Sequence, residues 1–449
     1  MKNNLMISVS GVRGIVGDGL TPDVISRFSM AFGTFLKKGR VIIGKDTRPS
    51  GEMVKHSVIS GLVATGCEVI DLGVCPTPTV LYNVKNLHAD GGIAITASHN
   101  PSEWNALKFV NNEGTFLTRS QAKKLLDIFN KGSFKTADWQ NIGVLKTDSS
   151  GIKRHIDGVL RLSFLNIRKL RRRKFRVGVD CVNGAASSAF PELLEKLGCK
   201  IKKVYCDGNG KFLRNPEPIA KNLSALGKMV SKEGLDIGFA TDADGDRLSI
   251  VGNDGTPLGE EHSLALAVSY FLSKKRGNVV INLSSSRMTD DIVKTHKVKV
   301  FRSKVGEANV VKKMKQTNAV IGGEGNGGII LPEFQMTRDG MSGIALILSY
   351  LLESGKTILQ LKNELPSYYI IKEKKKLNSR EHKLNYEKII KLLPKGRINN
   401  NDGLRIDWKD CWIHIRKSGT EPIVRIIAEA KSKKEATLLC RKVKKIIDV

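Results

Sequence analysis

The sequence lacks the features that mark membrane, secreted and disordered chains. It contains no run of about 18 apolar residues, so no transmembrane helix is predicted. Residues 1–14 contain no charged region followed by an apolar segment, so we expect no signal peptide. No long segment has the composition of a disordered region, and hydrophobic residues make up 41% of the chain, which suffices for buried cores. At roughly 100–200 residues per domain, the length predicts about three or four domains.

Cysteine is scarce and has no recognisable pattern. The seven cysteines are an odd number, their spacing is scattered, and no CxxC motif occurs. Cys67, Cys181, Cys199 and Cys206 lie in apolar or turn contexts. This pattern is not typical of a disulfide framework or of a zinc site. We therefore expect reduced thiols in a cytoplasmic protein.

Acidic residues are few relative to basic ones. The chain has 74 Lys and Arg against 44 Asp and Glu, which gives a net charge of +30. Such a surface favours anionic partners, so nucleic-acid binding is one alternative function. The dense basic runs are Arg171–Lys174 and Lys372 with Lys374–Lys376, and no aromatic residues interleave with them as a stacking platform requires. We interpret both runs as solvated helix ends and loops, and expect neither a nucleic-acid nor a membrane partner.

One pattern of secondary structure recurs three times. Each copy reads as strand, polar loop, helix and strand, over residues 41–72, 176–205 and 278–301. Each is therefore a βαβ unit of the kind that builds parallel sheet. After a lysine-rich stretch of mixed pattern at 372–391, short alternating strands are predicted at 403–406, 411–415 and 423–430, with a helix at 433–447.

These patterns predict an α/β fold class. We expect three related mixed-sheet βαβ domains and a smaller C-terminal α+β domain, arranged around a central cleft. The expected domain bounds fall in polar or glycine-containing stretches. They are 1–150, 151–252, 253–370 and 371–449.

The first of four chemically suggestive loops is Thr96–Pro101. It follows an apolar strand at 92–95, so Ser98 lies at a strand exit, where reactive residues are often placed. Asn100 followed by Pro101 favours a turn. A hydrolase nucleophile elbow is not expected, because Thr96 and Asn100 stand where GxSxG requires glycine. A plain turn that contains a serine is the alternative interpretation.

The second loop carries three carboxylates, Asp242, Asp244 and Asp246, between two apolar strands. At positions i, i+2 and i+4 of a turn containing Gly245, they can converge on one hard cation such as Mg²⁺ or Ca²⁺. The spacing is not that of an EF-hand, because glycine is fourth and the twelfth residue is Asn253. Without a cation the carboxylates repel one another, since like charges at about 4 Å interact by roughly 1 kcal/mol even in bulk water. A metal-free acidic turn is the alternative.

The third loop, 322–328, has five glycines in seven positions. Glycine lets the backbone approach a ligand closely. Glu324 and Asn326 are its only side chains that form hydrogen bonds, and a carboxylate with an amide suits sugar hydroxyls. A flexible glycine loop without a ligand is the alternative.

The fourth loop, 416–422, joins two predicted strands of the last domain. It combines arginine, hydroxyl and glycine residues, a composition that can cradle a phosphate. A polar hairpin without a ligand is the alternative. The residues concerned are Arg416, Ser418, Gly419 and Thr420, with Arg425 following.

Taken together and in this order, the four loops resemble one family, the α-D-phosphohexomutases, and the match spans nearly the whole chain. The resemblance implies that Ser98 is a phosphoserine and that Ser98, Asp242, Asp244 and Asp246 hold one Mg²⁺ per chain. It also implies a sugar-reading role for the third loop and a phosphate-binding role for the fourth. The substrate-binding residues are then Lys304, Glu324, Asn326, Arg416, Ser418, Gly419, Thr420 and Arg425.

Further residues match the family's catalytic positions. Arg13 corresponds to an N-terminal active-site arginine, and Lys108 lies at the place of a proposed general acid or base. His99 beside the serine is a second candidate base. Arg247, directly after the acidic turn, is expected to neutralise charge that develops on a transferring phosphoryl group.

The sequence also departs from the family pattern. Many members carry serine and histidine late in the sugar loop, where this chain has Asn326 and Gly328, and glycine where this chain has Ala106. The form Glu-Gly-Asn-Gly-Gly resembles the archaeal-type phosphoglucosamine mutases and their bacterial relatives. That subgroup also includes enzymes acting on glucose or mannose phosphates.

The resemblance implies an isomerase that interconverts hexose 6-phosphate and hexose 1-phosphate through phosphoserine and a bisphosphate intermediate. It implies a phosphosugar partner and hexose 1,6-bisphosphate as activator. Glucosamine phosphate is the expected substrate, and mannose or glucose phosphate is the alternative. A phosphatase or hydrolase using Ser98 would instead release inorganic phosphate, and a nucleic-acid-binding protein would need neither the serine turn nor the acidic turn.

Overall fold

The computed structural model describes residues 5–8, 11–377, 384–418 and 423–447. The chain divides into two compact units. Unit 1 comprises residues 1–263 and 327–362, and unit 2 comprises residues 264–326 and 363–449. The predicted α/β class with mixed sheets is confirmed. Among the described helices, none is both long enough and apolar enough to cross a membrane.

The described residues form fifteen α-helices. They are α1 (Pro22–Leu36), α2 (Gly51–Val63), α3 (Thr77–Asn86), α4 (Arg119–Lys131), α5 (Gly151–Leu160), α6 (Ile167–Arg173), α7 (Ala189–Lys196), α8 (Ser224–Glu233), α9 (Glu260–Lys274), α10 (Met288–Thr295), α11 (Glu307–Thr317), α12 (Gly340–Ser354), α13 (Ile358–Asn363), α14 (Tyr386–Leu392) and α15 (Lys433–Ile447).

The strands are mostly short, as is usual in globular proteins. They are β1 (Met6–Ser8), β2 (Gly11–Val16), β3 (Gly19–Leu20), β4 (Arg40–Lys45), β5 (Glu68–Val74), β6 (Gly91–Ile95), β7 (Trp104–Asn111), β8 (Leu145–Thr147), β9 (Arg176–Asp180), β10 (Lys200–Val204), β11 (Ile237–Ala240), β12 (Ser249–Val251), β13 (Val279–Asn282), β14 (Val300–Ser303), β15 (Ile321–Glu324), β16 (Gly328–Leu331), β17 (Gln335–Arg338), β18 (Tyr369–Lys376), β19 (Arg397–Asn399), β20 (Leu404–Asp407), β21 (Trp412–Lys417) and β22 (Ile423–Ala430).

The first sheet of unit 1 has the strand order β1-β2-β7-β6-β4-β5-β8, with β3 paired to β2. Strand β4 pairs in parallel with β5 and β6, and β7 pairs antiparallel with β6. Val41, Ile43, Ile93 and Ile95 are fully buried, which explains the apolar runs of the two central strands. Because β4 and β6 are parallel neighbours, the loops that follow them emerge at the same edge of the sheet.

The second sheet of unit 1 has the order β10-β9-β11-β12. Strands β9, β10 and β11 are parallel, and β12 returns antiparallel to β11. Every residue of β11 is buried, as its apolar sequence requires. The acidic turn lies between β11 and β12, so it is anchored by buried strands on both sides. Unit 1 also contains the antiparallel pair of β16 and β17, followed by the buried helix α12.

Unit 2 contains two groups of strands. Strands β14, β13 and β15 are parallel, whereas the C-terminal sheet β18-β22-β21-β20-β19 is wholly antiparallel. One face of the antiparallel sheet forms a core with α15, in which Ile415, Ile426, Cys440 and Val443 are fully buried. This sheet and helix are the predicted α+β segment.

The structure corrects two local interpretations. The run that includes Lys372 and Lys374–Lys376 belongs to strand β18, not to a helix end or loop. The reason is that β18 is an edge strand, where exposed lysines are common because they oppose edge-to-edge association. The glycine-rich segment 322–328 is also mostly strand, since β15 ends at Glu324 and β16 begins at Gly328. The run Arg171–Lys174 does lie at a helix end, that of α6.

Candidate active site

The acidic turn places three carboxylates against one another in unit 1. Asp242, Asp244 and Asp246 are all buried, and one carboxylate oxygen from each lies within 4.8 Å of the others. Gly245 has a φ of +73°, a left-handed conformation that glycine adopts without strain and that lets the turn double back. Among the described residues, this is the one group of three or more acidic, histidine or cysteine side chains with such spacing.

Each buried carboxylate lies near one basic side chain. The ammonium of Lys108 is 2.6 Å from Asp244 Oδ2, and Arg338 Nη2 is 2.5 Å from Asp246 Oδ2. Arg247 Nε is 3.6 Å from Asp242 Oδ2. These three cations balance the three carboxylates. Breaking such a buried pair is costly, because it leaves an uncompensated charge out of contact with water.

Asp242 and Asp244 respond differently to this environment. Burial, reinforced by the negative charges of Asp246 and Asp244, raises the pKa of Asp242 well above its usual value. Burial acts in the same direction on Asp244, but the Lys108 ammonium outweighs it and holds the pKa of that carboxyl well below its usual range. Asp242 therefore takes up a proton more readily than Asp244 does.

The same turn has the donor set that a hard divalent cation requires. Asp244 Oδ1 and Asp246 Oδ1 are buried, and neither has a hydrogen-bond donor within the described part of the chain. A buried oxygen without a partner is costly, and a cation satisfies it. Carboxylate oxygens are the ligands that Mg²⁺ prefers. The residues present therefore fit the predicted Mg²⁺, which Asp242, Asp244 and Asp246 would hold. Ser98, the fourth predicted ligand, lies beside them.

Ser98 faces this cluster from the loop after β6. It is buried, and its hydroxyl donates to Asp242 Oδ2 at 2.8 Å. Its φ is +51°, which a non-glycine residue rarely adopts unless its surroundings enforce it. One restraint is local: the backbone N–H of Ser98 donates to Thr96 Oγ1 at 2.9 Å, and the Thr96 hydroxyl donates to Asp46 Oδ2 at 2.6 Å.

The second restraint on the serine loop is Arg48, which lies in the loop after β4. Its guanidinium donates to the carbonyl of Pro101, to that of Ser98 at 2.8 Å and to that of Asn100 at 2.6 Å. Asp46 accepts from Arg48 Nε at 2.9 Å and so fixes the guanidinium. Arg48 and Asp46 are fully buried. The sequence interpretation did not identify either residue, although both follow the strand that neighbours β6.

The remaining predicted catalytic residues of unit 1 lie around the same loop. Arg247 Nη2 donates to His99 Nδ1 at 2.9 Å, and Arg13 Nη1 donates to Asn100 Oδ1 at 2.6 Å. Burial, followed by the positive charges of Arg247 and Arg13, lowers the pKa of His99 well below its usual value. The imidazole is therefore neutral, and the Nδ1 that faces Ser98 at 3.4 Å already accepts a hydrogen bond from Arg247.

Unit 2 contains the residues predicted to read the sugar. Glu324 is buried at the end of β15, where Oε1 accepts from Asn282 Nδ2 at 2.9 Å and from the Gly306 N–H at 2.8 Å. The carboxylate is therefore held in one orientation. Asn326 is half-buried two residues later, and Lys304 is exposed just before Gly306.

The predicted phosphate loop begins at the end of β21. Arg416 lies directly opposite Arg425 across the β21–β22 pair, and its Nε is 3.5 Å from Asp402 Oδ2. Asp402 also accepts from the Val305 N–H at 2.9 Å, which ties this arginine to the segment that carries Lys304. The Ser418 N–H donates to the Ile423 carbonyl at 2.9 Å. Gly419 and Thr420 lie outside the described residues.

Several residues of these sites were not predicted from sequence. They support the predicted residues through contacts between distant segments, which no local motif reveals. The usable signal was position. Asp46 and Arg48 follow a parallel strand adjacent to the serine strand. Thr77, whose hydroxyl donates to Asp244 Oδ2 at 2.8 Å, begins the helix after β5. The unpredicted residues are Asp46, Arg48, Thr77, Asn282, Arg338 and Asp402.

We predict that Asp244→Asn weakens Mg²⁺ binding at least about tenfold, because the cation loses one anionic ligand. Isothermal titration with MgCl₂ measures the affinity. Asp254→Asn is the matched control, since this exposed carboxylate lies in a turn outside the cluster. Equal Mg²⁺ affinity in the two variants, with both folded by circular dichroism, would contradict the metal site.

Comparisons with known proteins match nearly the whole chain to one family. Models of the phosphoglucomutase/phosphomannomutase α/β/α domains I, II and III match residues 5–136, 153–255 and 260–369. The C-terminal domain of the same proteins matches residues 372–446.

Curated relatives match nearly the full length of this chain. A phosphoglucomutase/phosphomannomutase of Thermococcus kodakarensis is 39% identical over 435 residues, covering 95% of this chain and 94% of that protein. A probable phosphoglucosamine mutase of Pyrococcus abyssi is 37% identical over 443 residues, covering 98% and 96%. A phosphoglucomutase/phosphomannomutase family protein of Burkholderia thailandensis has a similar structure, with a TM-score of 0.84 and 25% identity over 99% of this chain and 98% of that chain. The chain therefore belongs to the phosphoglucomutase/phosphomannomutase family of phosphohexose mutases, as its four loops indicated.

Proposed function

We propose that this chain interconverts the 6-phosphate and 1-phosphate of a hexose by passing a phosphoryl group through Ser98, with glucosamine phosphate as its preferred substrate. The observation that carries the proposal is the hydrogen bond from the Ser98 hydroxyl to Asp242, inside a group of three buried carboxylates. Two of these, Asp244 and Asp246, each have an oxygen with no hydrogen-bond donor among the described residues. A plain serine turn needs no such surroundings. We assign the phosphoserine to segment 1–150, the metal ligands to 151–252, sugar recognition to 253–370 and phosphate binding to 371–449.

The charge balance of the site supports a phosphorylated serine. Three carboxylates lie beside three cations, so the resting cluster is close to neutral. A phosphate on Ser98 adds a charge of about −1.5 to −2 at pH 7. Asp242, Asp244 and Asp246 would hold one Mg²⁺, which would add the compensating charge and would polarise the phosphate for transfer. The pairing of a dianion with a dication therefore leaves the net charge of this cluster nearly unchanged.

In the proposed transfer, the bonds that form and break are all between atoms of the sugar phosphate and of the chain's own groups. An oxygen of the sugar hydroxyl forms a bond to phosphorus as the bond from phosphorus to Ser98 Oγ breaks. The Lys108 ammonium gives a proton to the leaving Oγ and takes the proton of the attacking hydroxyl, so it ends in the form in which it began. The reverse transfer from the other position of the bisphosphate restores phospho-Ser98. Arg247 stabilises charge on the transferring group.

His99 has a different proposed role from the one that sequence suggested first. Its Nδ1 accepts from Arg247, and its lowered pKa keeps the ring neutral. We therefore propose that His99 orients Arg247 and that Lys108 exchanges the proton. Arg13, which donates a hydrogen bond to the Asn100 side chain, holds the serine loop in position and adds positive charge beside the phosphate.

Recognition of the sugar phosphate is proposed for unit 2. The fixed carboxylate of Glu324 can accept from sugar hydroxyls or from a protonated 2-amino group, and Asn326 adds an amide. The phosphate that is not reacting receives positive charge and hydrogen-bond donors from Lys304, Arg416, Ser418, Gly419, Thr420 and Arg425. The net charge of +30 speeds capture of a dianionic ligand, an effect that salt weakens. Since all seven cysteines are free thiols, we place the enzyme in the cytoplasm.

Glucose or mannose phosphate is the second candidate substrate. The name of the Thermococcus kodakarensis relative favours it, whereas that of the Pyrococcus abyssi relative favours glucosamine. Glycines dominate the sugar loop, so few polar groups are left unpaired by the wrong sugar. We therefore expect a preference for glucosamine phosphate with measurable activity on the others.

The test of this function is a panel of glucosamine, glucose and mannose 1-phosphates, each assayed with a trace of its 1,6-bisphosphate as activator. We predict formation of the 6-phosphates, the highest kcat/KM for glucosamine, and loss of turnover in excess EDTA that MgCl₂ restores. Inorganic phosphate is measured in the same samples. Release of phosphate without isomerisation would indicate a hydrolase, and a clear preference for glucose or mannose phosphate would select the second candidate.

A second prediction concerns the arginine that holds the serine loop. Arg48→Lys keeps a positive charge beside Asp46 but cannot bridge three carbonyls at once. We predict that kcat falls about tenfold to a hundredfold, because a small displacement of the reacting group has an effect of this size, whereas KM stays close to that of the wild type. Arg40→Lys is the matched control on the exposed end of the same strand. An unchanged kcat in Arg48→Lys would contradict the positioning role.

A further inference from the structure

The antiparallel sheet of unit 2 aligns three basic side chains across three neighbouring strands. The register places Arg416 of β21 opposite Arg425 of β22, and Arg425 opposite Lys374 of β18. Residues directly opposite one another in antiparallel strands share a face, with Cβ atoms about 4.5–5.5 Å apart. The three side chains therefore form one row, which we call the cationic row.

The cationic row lies on the face of the sheet that does not pack against α15. Val424 and Ile426, which flank Arg425 in sequence, are fully buried in the core with that helix, so Arg425 faces the other way. Within β18, adjacent lysines likewise lie on opposite faces of the sheet. Lys375 Nζ donates to the Lys444 carbonyl of α15 at 3.4 Å, whereas Lys374 is exposed.

The next row on the same face contacts the sugar loop. It contains His414, Ile427 and Lys372, which the register places side by side. Lys372 Nζ donates to the Gly325 carbonyl at 3.3 Å, and His414 Nδ1 is 2.9 Å from Ser284 Oγ. The cationic row, one step further along the strands, therefore lies beside the segment that carries Glu324.

Electrostatics indicate that this row serves an anion. Like charges directly opposite one another destabilise a sheet, so three adjacent cations are unfavourable without a counter-charge. Asp402, 3.5 Å from Arg416 Nε, lies at the end of the row away from Lys374. Lys374 itself makes no ion pair within the described ranges of the chain. A bound dianion next to Lys374 relieves the repulsion at that end.

We propose that Lys374 is a further phosphate-binding cation of unit 2, acting with Arg416 and Arg425 on the phosphate of the sugar that is not reacting. This inference rests on the proposed function, because it assigns a further residue to the same substrate site. It gives the β18 lysines distinct roles: Lys374 binds substrate, Lys372 holds the sugar loop and Lys375 packs on α15. The basic run is therefore not uniformly a solvated surface.

The test compares Lys374→Gln with Lys375→Gln, which removes the same charge from the adjacent residue on the opposite face. With glucosamine 1-phosphate as substrate, Lys374→Gln should raise KM about tenfold, the effect of losing one charge-assisted contact, and leave kcat near that of the wild type. Lys375→Gln should leave both parameters near wild type. Lys374→Arg should restore KM, and the difference between the two Gln variants should shrink at high salt, because screening weakens exposed charges.

A binding measurement separates this inference from the proposed function. Titration with inorganic phosphate should show weaker binding by Lys374→Gln than by Lys375→Gln, whether or not the protein isomerises a given sugar. Equal phosphate affinity and equal KM in the two variants would overturn the role of Lys374. If the wild-type protein turns over no hexose phosphate, the proposed function is refuted. If phosphate affinity nevertheless falls in Lys374→Gln alone, the proposed phosphate site is still supported.

Discussion

Three carboxylates buried within 4.8 Å of one another set the main constraint on unit 1. Anions cannot be held so close and away from water unless cations accompany them. The chain supplies Lys108 from β7, Arg247 directly after the turn, and Arg338 from the end of β17. Three sequence-distant segments must therefore meet at one point, and the two sheets of the unit and its β16–β17 pair are the scaffold that brings them there.

The same constraint explains why the reactive serine is held under backbone strain. Ser98 contacts Asp242 from a left-handed conformation, and Arg48 with Asp46 supplies the contacts that hold it there. Unit 2 carries different chemistry, with fixed donors and acceptors around Glu324 and a row of cations on its C-terminal sheet. Under the proposed function, chemistry and recognition depend on separate sets of contacts, so substitutions in one set are expected to change kcat and those in the other KM.

The sequence was sufficient to predict the βαβ copies, the acidic turn and the serine loop, because each is a contiguous pattern of residues. It was not sufficient for Arg48, Arg338 or Asn282, whose roles come from pairing between segments far apart in the chain. Lys374 was hidden for a further reason. Side chains of a strand alternate between its two faces, but in a run of lysines both faces carry the same residue type. Only the register with Arg425 therefore reveals which lysines share a face.

The central claim is that the phosphoryl group travels through Ser98. The most direct measurement is mass spectrometry of peptides from the protein after incubation with glucose 1,6-bisphosphate and Mg²⁺, followed by addition of unphosphorylated acceptor sugar phosphate. The account predicts one phosphate on the peptide that contains Ser98, its disappearance as bisphosphate re-forms, and no phosphate in Ser98→Ala. An active mutase that carries its phosphate on another residue, or that never carries one, would contradict the account.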